Sequence, residues 1–169
     1  MPRSFDMAAE YKASVEQVHR AFSDRTYWLE RLADSGADHA TLDSMDVGKD
    51  GAIEVVTTQV LRRDRLPGIV TQFHPGDLSI VREEMWSPVS DGRATATLGG
   101  DIPGAPVTLS GTAVLASAGD GDSRLEFTAA VEVRIPLVGG KVENFIGGQL
   151  VELLIGEQRF TTAWIRENA

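Results

Sequence analysis

The sequence predicts an α+β protein of the helix-grip kind. A curved antiparallel β-sheet of about seven strands would wrap around one long C-terminal α-helix. Three observations predict it. Between Gly36 and Pro136 the chain shows two-residue alternation broken by turn signals, with no sustained helical period. Residues 123–135 put Leu125, Phe127, Ala129, Val131, Val133 and Ile135 on one face, and Arg124, Glu126, Thr128, Glu132 and Arg134 on the other. That pattern belongs to a sheet with a core on one side and water on the other. Beyond Pro136 the period becomes that of an amphipathic helix, which runs to about Ile165.

The opening stretch alternates as well. Phe5, Met7, Ala9 and Tyr11 share one face, which predicts a half-buried strand over 3–11. Ser14 and Gln17 have capping-box spacing, so a helix starts there with Val15, Val18, Ala21 and Phe22 as its apolar stripe. A second short helix is expected over 26–34, capped by Thr26 and ended by Gly36. Strands follow near 38–47, 51–61, 78–87, 93–101, 107–117 and 123–135. "GKDG" at 48–51, "SDG" at 90–92 and "GDGD" at 119–122 mark hairpins. Residues 64–77 carry Pro67-Gly68 near one end and Pro75-Gly76 near the other. They would hold one helical turn at 69–73 or form a flexible lid. No repeat, linker or low-complexity tract interrupts the chain, so residues 1–169 are expected to be one domain.

Laid out on a wheel, the final helix gathers Val142, Phe145, Ile146, Leu150, Leu153, Phe160, Ala163 and Trp164 on one stripe, the face expected to meet the sheet. Gln149, Gly156 and Glu157 fall on it too. Glu157 has two readings. It is either a polar group on a pocket wall, or a carboxylate that reaches water or pairs with an arginine from the sheet. Gln149 is either a ligand contact or a satisfied amide at the core's edge. Gly147, Gly148 and Gly156 each weaken a helix by about 1 kcal/mol relative to Ala. Gly156 would leave room for a ligand or for Trp86. Gly147 and Gly148 would permit a bend. Val151 and Ile155 form an outer apolar strip, which would allow a homodimer or be covered by a loop.

Composition narrows the function. The chain has 169 residues, 42% of them hydrophobic, and a formal net charge of -9. That charge argues against nucleic acid or an anionic membrane surface as partner. Arg62, Arg63 and Arg65 read as a solvated turn. There is no cysteine, which removes disulfides and thiol chemistry. No signal peptide or membrane span is visible, so a cytoplasmic location is expected. His19, His39 and His74 lack metal-ligand spacing, and no phosphate-binding loop or nucleophile elbow occurs, so neither metal nor cofactor is expected. Glu84 and Trp86 share one strand face in "REEMW". If that face is concave, Trp86 is a pocket wall and Glu84 is buried.

The strand–helix–helix opening, "EEMW", "IPGAPVTLSGTAVL" and "IPLVGGKVENFIGGQL" resemble the SRPBCC superfamily, in a mainly actinobacterial branch of unknown function. That superfamily includes START lipid-transfer domains, birch-pollen-allergen-like proteins and polyketide cyclases. The resemblance covers nearly the whole chain. It implies a helix-grip fold with an apolar cavity between sheet and C-terminal helix. No catalytic motif carries over residue by residue.

The expected function is binding of a hydrophobic small molecule, lipid or polyketide-like, in that cavity. Trp86, Phe127, Val131, Leu153, Gly156 and Phe160 would form its walls, with Gln149 and Glu157 as polar anchors. A cyclase or dehydratase is the alternative, with Glu157 or Glu84 as a general acid/base of raised pKa. A third reading is an interaction module with a filled core.

Overall fold

The computed structural model describes residues 3–72 and 74–168. Strand β1 (Arg3–Tyr11) leads into helices α1 (Val15–Phe22) and α2 (Arg25–Asp34). Six strands follow: β2 (His39–Val47), β3 (Ile53–Leu61), β4 (Leu78–Trp86), β5 (Arg93–Asp101), β6 (Val107–Ser117) and β7 (Ser123–Val133). Between β3 and β4 lie a single 3-10 turn (Arg63–Arg65) and the one-turn helix α3 (Gly68–Thr71). Helix α4 (Gly139–Asn168) ends the fold. All seven strands form one antiparallel sheet in the order β1-β7-β6-β5-β4-β3-β2. This is the helix-grip arrangement.

Local chemistry explains the boundaries. Ser14 accepts from the Gln17 backbone N–H, and Gln17 Oε1 accepts from the Ser14 N–H, which completes the capping box. The cap of α2 is Asp24 rather than Thr26; its carboxylate accepts from the Thr26 N–H at 2.8 Å. Asp91 and Gly92 both have positive φ, 54° and 73°, and join β4 to β5 through the tight turn that "SDG" predicts. The one turn in 64–77 starts and ends earlier than expected, and Phe73 lies outside the described residues. Strand β7 stops at Val133, so Ile135 belongs to the connection into α4.

The inner sheet face and the helices bury two contiguous apolar clusters. The larger holds Val18, Phe22, Tyr27, Trp28, Trp86, Leu115 and Phe127, with Leu154 and Ile165 of α4. The smaller holds Ile102, Val107, Val131, Val133 and Val142. Aromatic rings knit the first together. Phe22 sits 5.0 Å from Trp86, and Tyr27 lies between Phe160 at 5.8 Å and Trp164 at 5.4 Å.

The buried side of α4 is about a quarter turn from the stripe expected to meet the sheet. Glu143, Gly147, Leu154, Thr161 and Ile165 are buried there, and of the expected stripe Val142 is buried as well. Gly147 is there because a Cβ would overlap the ring of Phe5 on β1. It is a close-packing glycine. Gly156 is exposed, and a Cβ there would meet nothing within 4 Å. The expectation that it makes room for Trp86 or a ligand is therefore corrected.

Candidate functional site

Between the sheet and the first half of α4 lies a cavity of about 440 Å³. Leu61, Leu78, Ile80, Leu98, Ile102, Leu109, Phe127 and Ala129 form its sheet wall, with Gln59 and Arg82 among them. Phe145, Ile146, Gln149, Leu150, Leu153 and Leu154 form its helix wall. Ser35–Ala37 and Arg65–Pro67 complete the rim. The stripe predicted to touch the sheet thus divides. Ile146, Leu150 and Leu153 look across open space, while Phe160 and Trp164 pack on α2.

Glycines make room after all, but from the sheet. Gly99, Gly100 and Gly111 belong to the wall. A Cβ on Gly100 would come 2.8 Å from Leu109 Cδ1, and one on Gly111 3.0 Å from Phe127 Cζ. Bare backbone is what lets those larger side chains share the wall.

Beside this cavity sits a small chamber of about 30 Å³, room for about one water molecule. Arg82, Leu98, Phe127 and Leu154 line both spaces. The chamber is walled by Tyr11, Phe22, Trp86 and Thr161 and by four charged groups: Arg31, Arg82, Glu84 and Glu157. Strand register builds half of it. Arg82, Glu84 and Trp86 alternate along β4, opposite Thr57, Val55 and Ile53 of β3, so all three face inward. Arg31 comes from α2 and Glu157 from α4.

The four charges are tightly paired. Arg82 Nη1 and Nη2 donate to the two Glu157 oxygens at 2.9 and 2.8 Å, a bidentate fork. Arg31 Nη2 lies 2.6 Å from Glu157 Oε1. Glu84 completes the ring at 3.3 Å from Arg82 and 3.9 Å from Arg31. Arg31 also stacks over Trp28 at 4.6 Å and donates to the Tyr27 hydroxyl at 3.2 Å. The Tyr27 and Thr161 oxygens are 2.6 Å apart, and the Thr161 hydroxyl donates to the Glu157 carbonyl.

Burial raises the Glu157 pKa, but the charges of Arg31 and Arg82 and their hydrogen bonds outweigh it and hold the carboxyl down at about 2. Arg31 and Arg82 shift upward: burial opposes their charge, and the attraction of Glu157 and Glu84 overcomes it. Burial raises the Tyr11 and Tyr27 hydroxyls. The expected general acid of raised pKa is therefore not Glu157. The reading that pairs it with an arginine from the sheet describes it, with a second arginine from α2 added.

Of the residues singled out from the sequence, Phe127, Gln149 and Leu153 stand on the cavity wall. Trp86 and Glu157 line the small chamber, and Phe127 borders both. Val131 is fully buried in the smaller core cluster, and Phe160 packs on Tyr27. Gly156 is outside both spaces. Arg31, Arg82 and Gln59 escaped notice. Arg82 had a readable signal, its two-residue spacing to Glu84 and Trp86.

A family model described as "Protein of unknown function (DUF2505)" matches residues 6–165. The chain belongs to this family. An uncharacterised protein of Mycobacterium tuberculosis is 55% identical to it, over 99% of both chains. Two solved structures share the DUF2505 chain's fold. An aromatase/cyclase from a Streptomyces species superposes with a TM-score of 0.64 at 8% identity, covering 98% of this chain and 94% of that one. A START superfamily protein from Mycobacterium smegmatis gives 0.56 at 14% identity, covering 98% and 99%. The START/SRPBCC fold that the sequence resemblance implies is the fold observed.

Proposed function

We propose that this DUF2505 protein binds a hydrophobic small molecule in the cavity between the sheet and α4. One observation carries the reading: a cavity of about 440 Å³ whose walls are mostly apolar side chains and bare glycine backbone. Ligand pockets commonly span about 300–1,000 Å³ and are built in this way. Each Å² of apolar ligand surface moved from water to such walls contributes about 25 cal/mol. Support also comes from the aromatase/cyclase that shares the fold, since its name denotes chemistry on small organic molecules. A binding role fits better than an acid/base role because Glu157, one of the two candidate carboxylates, is locked between guanidiniums.

The test is a titration with the uncharged fluorophore N-phenyl-1-naphthylamine. Wild type is expected to bind it with enhanced fluorescence. Leu153→Trp fills the cavity from the helix side and should weaken binding at least about tenfold, the change in affinity from about 1.4 kcal/mol. Ile155→Trp, on the exposed side of the same helix, should not. Equal binding by all three proteins would place the probe elsewhere and refute the assignment.

A further inference from the structure

We infer that the cavity selects an uncharged amphiphile, one with a hydroxyl, carbonyl or amide head, over the corresponding carboxylate. This rests on the binding function proposed above and names the class of ligand. The first observation is charge balance. Among the described residues the cavity wall carries two cations, Arg65 and Arg82. Both already have protein carboxylates. Arg82 is held by Glu157 and Glu84, and the four-membered ring with Arg31 contains two guanidiniums and two carboxylates. Arg65 Nη1 lies 3.2 Å from Asp38 and donates to the Gly36 carbonyl at 2.8 Å. An entering carboxylate would therefore find both guanidiniums of the described wall already engaged by protein carboxylates. It would be desolvated against Leu, Ile and Phe side chains, which is unfavourable for an unpaired ion.

The second observation is a neutral polar group without a hydrogen-bond partner among the described residues. Gln59 of β3 is 9% exposed and lines the cavity. Among the described residues none donates to its side-chain amide or accepts from it. Its register partner on β4 is Ile80, and Thr57, two residues before it, pairs with Arg82. Gln59 and Arg82 are thus diagonal neighbours on one sheet face. A buried amide offers both a donor and an acceptor. It suits a hydroxyl, carbonyl or amide head, with the apolar body lying along Leu61, Leu98, Leu109 and Leu153.

The experiment compares a matched fluorescent pair, 1-pyrenebutanol and 1-pyrenebutanoate, at neutral pH. N-phenyl-1-naphthylamine serves as an uncharged apolar reference. Wild type is expected to bind the alcohol at least about tenfold tighter than the carboxylate. Gln59→Leu should lose about five- to tenfold in alcohol affinity, the worth of about one neutral hydrogen bond. The same variant should keep its affinity for the reference probe, which also shows that it is folded. If the carboxylate binds as tightly as the alcohol while the reference probe binds, the head-group inference is overturned and the binding function stands. If Gln59→Leu leaves the alcohol unaffected, Gln59 is not the anchor and the inference likewise fails. If none of the three probes binds wild type, the binding function falls and this inference falls with it.

Discussion

Burial lifts the Glu157 pKa, and two guanidiniums pull it down further than burial lifts it. The carboxyl moves from about 4.5 to about 2 on folding. A folded-state pKa below the unfolded one gives stability that is fully present above about pH 4.5. That stability fades as the pH falls toward 2. Glu157→Gln should cost about 3–5 kcal/mol at pH 7, because it leaves two buried cations sharing one carboxylate. Urea unfolding of both proteins measures this. Repeated in acid, the gap between them should narrow between pH 4.5 and 2. A constant gap would show that the carboxylate charge is not what stabilises the site. The sequence made Glu157 visible as a charged residue on an apolar stripe. Arg31 was not visible, because its α2 helix meets β4 and α4 only through tertiary packing. Spacing along a chain carries no information about such a meeting.

At the scale of the element, α4 separates hydrophobicity from burial. Its most apolar stripe faces a cavity and an aromatic cluster, while its most buried side carries Glu143, Gly147 and Thr161. Glu143 is satisfied there by the Val133 backbone N–H at 2.9 Å. A hydrophobic wheel assumes that the apolar face is the packed face, and an open cavity breaks that assumption. The glycines give a direct check by thermal unfolding. Gly148→Ala and Gly156→Ala, where a Cβ meets nothing within 4 Å, should each stabilise by about 0.5–1 kcal/mol. Gly147→Ala should destabilise despite the better helix propensity. Its Cβ would press on Phe5, and overpacking typically costs about 1–3 kcal/mol. A stabilised Gly147→Ala variant would mean that α4 does not lie this close to β1.

Across the whole molecule, the alternation of β1 and β7, the hairpin turns and the long final helix were legible because each is a local pattern. Leu125, Phe127, Ala129, Val131 and Val133 all point to the buried side, as their period requires. Gly100 and Gly111 were less legible. In sequence each reads as a weak point in a strand. Their role in shaping the wall depends on Leu109 and Phe127, which reach them only across the sheet. No helix among the described residues is long and apolar enough to cross a membrane. The architecture instead lines a space between the sheet and α4 with apolar side chains. Native mass spectrometry of the purified protein, followed by organic extraction of whatever it releases, tests that claim most directly. An uncharged, mostly apolar molecule should be released in near-stoichiometric amount, or an empty protein should take up N-phenyl-1-naphthylamine with one-to-one stoichiometry. A protein that releases nothing and takes up no apolar probe would contradict it.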